Sequence, residues 1–173
     1  MKNILITGIP GSGKSYLVKK WSQKGINAVD GDFMLEVVQW INKSNNKIDP
    51  FPENKEQADF DWFNDHRFVW NPEKLSKFIK KNEPVIILGL CDNLEEIVKY
   101  FNDLYCLKVP ISLVKKRLLR PDRQKSNAFG RDKRQINQLD NIMEELDEKS
   151  FKLGFKQIDA TTNEDEILTL FNI

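Results

Sequence analysis

The chain has 173 residues, of which 40% are hydrophobic and 31% charged, enough for one domain with a proper core. A formal net charge of +1 argues against a polyanionic partner such as nucleic acid unless a basic patch is local. No apolar run approaches the roughly 18 residues of a membrane span, and Ile4 to Ile6 is too short for a signal-peptide core, so no membrane partner and a cytoplasmic location are expected.

Taken in order, Asn3 to Thr7 is a short β-branched run and predicts a buried strand. Gly8-Ile9-Pro10-Gly11-Ser12-Gly13-Lys14-Ser15 follows and matches the phosphate-loop pattern G-x-x-x-x-G-K-[ST] in full. Tyr16 to Trp21 then has helical spacing, so the loop is expected between a strand and a helix N-terminus. Gly8, Gly11 and Gly13 let the backbone turn and converge its N–H groups, and the helix dipole adds to them. Lys14 supplies a flexible charge, expected to be exposed to the ligand, and Ser15 a hydroxyl for Mg²⁺. Gly8 to Tyr16 are therefore the candidate contacts of a nucleoside triphosphate.

Gly25 stops that helix, and Ile26 to Val29 reads as a second strand ending in Asp30-Gly31-Asp32. A helix is expected from Phe33 to Ile41, a loop from Asn42 to Asn54, and short helical turns from Gln57 to Trp70. Pro72 starts a helix running to about Lys81. Pro84 to Gly89 is the most buried-looking strand, Asn93 to Phe101 a short helix, and Leu104 to Val109 another strand. Ser112 to Leu119 is helical, Pro121 opens a basic loop, and Asp132 to Ser150 reads as one long helix. Phe155 to Asp159 is the last strand and Glu164 to Phe171 the last helix. Five apolar strands alternating with helices predict a doubly wound α/β fold with a parallel sheet. Ligands in such sheets bind beyond the carboxyl ends of the strands. Cys91 and Cys106, in or beside apolar runs, are read as buried free thiols. One histidine and no Cys-x-x-Cys exclude the usual zinc patterns.

Asp30 and Asp32 face the expected cleft. They suit Mg²⁺ binding or proton acceptance from a substrate hydroxyl; the alternative is that Asp32 caps the next helix. Arg117, Arg120, Arg123, Arg131 and Arg134 make an arginine-rich stretch suited to phosphate contacts. It is read as a lid that closes on nucleotide, or else as a solvated basic loop. Trp62, His66 and Trp70 recur every four residues. On a helix they form one face on which a flat acceptor can stack; otherwise they are a satisfied histidine in an aromatic cluster.

These motifs together resemble the P-loop kinases of small molecules, the adenylate, shikimate and gluconate kinases, and small bacterial nucleoside kinase-like proteins. The resemblance rests on Gly8 to Ser15, Asp30-Gly31-Asp32, Gly89, Val109-Pro110 followed by Arg117 and Arg120, Asn127 to Arg131, and Ile158-Asp159-Ala160-Thr161. It implies a P-loop NTPase fold over residues 1–173, with an acceptor-binding segment at about 33–81 and a mobile lid at about 120–134. The implied activity is transfer of the γ-phosphoryl of ATP, with Mg²⁺, to a nucleoside, nucleotide or other small metabolite. A shikimate- or gluconate-like acid, a nucleic-acid 5′ end and a non-catalytic ATP switch are the alternatives. Lys14, Asp32, Arg123 and Arg131 would be catalytic. Arg117 would lie against the adenine, Arg120 near the phosphates, and Asp159, Ala160 and Thr161 beside the adenine. Asp32, Trp62, His66, Trp70 and Gly89 would bind the acceptor, and Ser15 and Asp30 the metal. No Asp ends the third strand, which leaves Asp30 and Asp92 as rival second metal contacts. The protein is expected to be a monomer or homodimer.

Overall fold

In the computed structural model, which describes residues 2–126 and 129–171, the glycine-rich stretch joins a buried strand to a helix. Strand β1 (Ile4–Thr7) is buried throughout, and helix α1 (Lys14–Gln23) begins inside the motif. Strand β2 (Ala28–Asp30) follows and ends in a short 3-10 turn, Gly31–Phe33. The next stretch holds β3 (Val38–Asn42), α2 (Phe60–Asp65), β4 (His66–Trp70) and α3 (Pro72–Asn82). The chain then runs through β5 (Ile86–Leu88), α4 (Leu94–Ile97), β6 (Asp103–Lys108), α5 (Ile111–Leu118) and α6 (Pro121–Ser126). It closes with α7 (Lys133–Asn137), α8 (Leu139–Lys152), β7 (Lys156–Asp159) and α9 (Glu164–Thr169).

The fold is α/β. Five strands form one all-parallel sheet in the order β2-β5-β1-β6-β7, and they are the five strands that the apolar runs predict. Leu5 on β1 lies opposite Ile87 on one side and Leu104 on the other. Side chains alternate across β1, as a two-residue period requires. Ile4 and Ile6 join Leu17 and Trp21 of α1 and Ile167 of α9, while Leu5 joins Leu75 of α3 and Val114 and Leu118 of α5. Helices therefore cover both faces. Cys91 and Cys106 are buried free thiols, as expected, and burial pushes both thiol pKa values up. Among the described residues no helix is long and apolar enough to cross a membrane.

Three of the helical expectations fail. The helix expected over Phe33 to Ile41 is absent, and the helical face of Trp62, His66 and Trp70 does not exist. Instead β3 and β4 pair antiparallel, with Val38 opposite Trp70 and Trp40 opposite Phe68. Val37, Val38, Trp40 and Ile41 fit helical spacing, but β-branched and aromatic side chains pack better on a pleated surface once a partner strand exists. The long helix expected over Asp132 to Ser150 is likewise divided at Gln138, between α7 and α8.

The β3–β4 ribbon is fastened to the main sheet by Trp70, which is fully buried. A Cβ added at Gly31 would meet the indole Cη2 at 2.4 Å, and one added at Gly89 would meet Cζ2 at 2.3 Å. The two glycines thus leave the slot that the indole fills. The backbone is tied as well. Trp70 N–H donates to Asn93 Oδ1 and its carbonyl accepts from Asn93 Nδ2, both at 3.0 Å. Phe68 N–H donates to Asp92 Oδ2 at 2.8 Å. Gly31→Ala or Gly89→Ala is predicted to lower stability by about 1–3 kcal/mol or more, because rigid ring atoms have nowhere to go. Chemical denaturation measures this, and an unchanged midpoint for both variants would mean that the indole does not fill the slot.

Candidate functional site

A cleft of about 1860 Å³ opens along the carboxyl edge of the sheet, lined by Pro10 to Leu17, Asp32, the inner side of the ribbon and Ala160 to Glu164. Its floor is the glycine-rich turn. Gly11 and Gly13 have φ of +86° and +111°, a backbone region that side chains disfavour. At Gly11 there is also no room: an added Cβ would lie 3.1 Å from Val114 Cγ1 on α5. Arg117, on the same helix, lines the cleft and holds the turn. Its Nη1 donates to the carbonyls of Gly11 at 3.1 Å and Ser12 at 3.3 Å. The first-turn N–H groups of α1 have no intrahelical acceptor, so the helix presents donors to the cleft.

Lys14 is not exposed, contrary to the sequence-based expectation. Its side chain is only 7% exposed, and Nζ donates to Gly8 O at 2.7 Å and Ile9 O at 3.4 Å. The same ammonium lies 3.6 Å from Asp32 Oδ2. Asp32 Oδ1 accepts from Leu90 N–H at 2.7 Å, which fixes the carboxylate at the end of β5. Burial pushes the Asp32 pKa up and the nearby Asp30 adds to this, against Lys14 and the Leu90 N–H, which pull it down. Asp30 has a different role from the one expected. Its Oδ1 accepts from Asp32 N–H at 3.2 Å, so Asp30, and not Asp32, caps the turn, and it does not line the cleft. Asp92, the rival metal contact, lines the cleft but has one carboxylate oxygen on Phe68 N–H, and burial pushes its pKa up.

The donors present fit Mg²⁺ to a limited extent. Ser15, exposed, and Asp32 both line the cleft and offer hard oxygen ligands. Among the described residues no three His, Cys, Asp or Glu side chains cluster as a metal site. A bound cation there needs ligand phosphates and water to complete its shell.

The other expected residues divide between the cleft and its surroundings. Tyr16 lines the cleft and its hydroxyl donates to Glu164 Oε2 at 3.2 Å. Arg120 and Arg123 also line it, Arg120 paired with Asp122 at 3.1 Å and Arg123 half-buried. Arg131 is exposed and is not among the lining residues. Asp159 accepts from the N–H and hydroxyl of its neighbour Thr161, which shapes the turn while Ala160 and Thr161 face the cleft. Trp70 and Gly89 are buried against each other and offer no face to a ligand. Trp62 stacks on His66 at 4.1 Å and packs on Trp40, Phe51 and Phe63. His66 Nδ1 donates to Trp62 O at 2.7 Å, and its Nε2 pairs with Asp49 Oδ2 at 3.0 Å. That is a satisfied histidine in an aromatic cluster.

The segment expected as a loop after Pro121 begins as helix α6; Asn127 and Ala128 lie outside the described residues. The segment touches the ribbon side through Phe129, 5.8 Å from Phe63, and through Arg134, whose guanidinium lies 4.3 Å over Phe60. Helical spacing overlooked the ring wall of Trp40, Phe51, Phe63 and Phe68, although the alternation of Val38, Trp40 and Phe68, Trp70 marks two strands. Gln135, Gln138 and Asn141 line the cleft from α7 and α8 with no local sequence signal. Comparison with models of known protein families and with curated proteins gave no match to this chain.

The raised Asp32 pKa has a consequence of definite sign. The folded state keeps this proton to higher pH than the unfolded chain. The stability it contributes is full below the ordinary carboxylate range and is lost as pH rises through the folded-state value. Asp32→Asn removes that loss and keeps an oxygen for Leu90 N–H. The melting temperature of the variant relative to the native protein is therefore predicted to rise as pH climbs above the ordinary carboxylate range. A difference that is flat or falls with pH would contradict the assignment.

Proposed function

We propose that this protein has a P-loop kinase fold, binds ATP on Gly8 to Ser15 and transfers its γ-phosphoryl group to a small acceptor, a nucleoside or nucleotide, held between Asp32 and the ribbon. The observation that carries this reading is the meeting of Lys14 and Asp32, 3.6 Å apart, where the glycine-rich turn opens on the cleft. A cation suited to phosphate and a carboxylate suited to a hydroxyl proton flank one point, beside unsatisfied helix N–H groups.

The loop N–H groups and the α1 terminus receive the phosphates, and Lys14 exchanges the Gly8 and Ile9 carbonyls for phosphate oxygens. Arg117 stays on the Gly11 and Ser12 carbonyls and holds the turn rigid, so it acts on the phosphates through the backbone. The acceptor hydroxyl oxygen bonds to the γ-phosphorus as the bond from that phosphorus to the β–γ bridging oxygen breaks, and its electron pair leaves with ADP. The hydroxyl proton passes to Asp32, whose raised pKa makes it a better proton acceptor than an ordinary carboxylate. Ser15 would hold Mg²⁺, which when bound neutralises charge on the phosphates. Arg120 and Arg123 add positive charge from the segment around α6, which serves as the lid. Arg131, outside the cleft, has no part in this scheme.

The test follows the label of γ-labelled ATP into a panel of nucleosides, nucleotides, shikimate and gluconate. Label is expected in a base-bearing acceptor. Lys14→Ala should abolish transfer, and Asp32→Asn should lower kcat by roughly 10²–10⁴-fold with little change in the KM for ATP. ATP consumption that is the same with every acceptor and indifferent to Asp32→Asn would contradict the proposal.

A further inference from the structure

We infer that Gln135 recognises the acceptor: its side-chain NH₂ donates to a carbonyl oxygen or ring nitrogen on the edge of a flat heteroaromatic base. This rests on the transfer reaction proposed above and specifies the substrate class of the same cleft. Gln135 lines the cleft on α7, yet it is 2% exposed. Its amide orientation is set by its neighbour. Gly130 N–H can only donate, so the atom it meets at 2.7 Å is Oε1. The other end, Nε2, is buried and has no hydrogen-bond partner among the described residues. A buried amide donor left in that state destabilises the fold, a cost that an acceptor atom on a ligand removes.

The surroundings give the ligand its shape. Gln138, at the junction of α7 and α8, and Asn141, on α8, line the same cleft and add further amide groups to that wall. Trp40, Phe63 and Phe68 line the cleft from the ribbon side. Ring faces with an amide rim match a planar ring with a polar edge, which an aliphatic hydroxy acid lacks. Lys43 and Lys74 also line the cleft. They suit a phosphate on the same molecule, so the base is the feature shared by nucleoside and nucleotide.

The experiment titrates ribonucleosides and their 5′-monophosphates into the full chain carrying a non-hydrolysable ATP analogue, by calorimetry. Native protein, Gln135→Glu and Gln135→Met are compared. Gln135→Glu keeps an oxygen for Gly130 N–H and removes the donor; Gln135→Met keeps the bulk and removes both. At least one base-bearing compound should bind the native protein, and both variants should bind it tenfold or more weakly while the ATP analogue changes by less than twofold. Whichever of nucleoside and monophosphate binds more tightly identifies the natural form. If Gln135→Met fails to fold, Gln135→Glu decides alone. The inference is overturned if the native protein takes the ATP analogue but no base-bearing compound, or if the folded variants bind such a compound as well as the native protein does. A native protein that does not take the ATP analogue would instead overturn the transfer reading on which the inference rests.

Discussion

The slot between Gly31 and Gly89 that admits the Trp70 indole is the constraint on which the cleft depends. Neither glycine has a positive φ, and neither is needed for a turn; each is required because a ring edge occupies the space of a methyl group. The wedge brings the β3–β4 ribbon against the carboxyl ends of β2 and β5. The segments that frame the slot also fix the carboxylate that faces Lys14. Asp32 follows Gly31, and Leu90, whose N–H holds Asp32, follows Gly89. A shift of the indole therefore moves both the aromatic wall and the carboxylate beside Lys14.

The charges at the site are balanced against burial. Lys14 has its ammonium on two backbone carbonyls and beside Asp32. Asp32 carries a raised pKa because burial outweighs the pull of that ammonium. A carboxylate made costly in this way lowers the stability of the folded chain at neutral pH and strengthens it as a proton acceptor.

Much of this arrangement is legible in the sequence, for physical reasons that differ along the chain. The central strands β1 and β5 are continuous apolar runs because both faces of a parallel sheet are buried there, and they stand out without any partner, whereas the edge strand β7 buries only Ile158. The glycine-rich turn is legible because Gly11 and Gly13 answer a local backbone requirement. The ribbon is not legible in the same way. Val38 and Trp70 pair across 32 residues, and spacing within one window cannot reveal a partner so distant. For the same reason Trp70 reads as a ligand platform when it is a buried wedge, and His66 reads as a donor when both ring nitrogens are already engaged. Asp30 takes the cap position weighed for Asp32 because a 3-10 turn begins one residue after Asp30, where the sequence allows a helix to begin later. Gln135 gives no signal at all, since its meaning comes from the Gly130 N–H that fixes its amide.

On the proposed reading, the turn from Gly8 to Ser15 receives the phosphates of ATP through its backbone donors. Titration of the native chain with a non-hydrolysable ATP analogue and Mg²⁺, followed by amide NMR, measures those donors themselves. The amides of Gly11, Gly13, Lys14 and Ser15 should shift together and saturate at one equivalent, with Leu90 N–H moving as Asp32 responds to the loss of Lys14. Loop amides that stay unmoved through millimolar nucleotide would contradict the account.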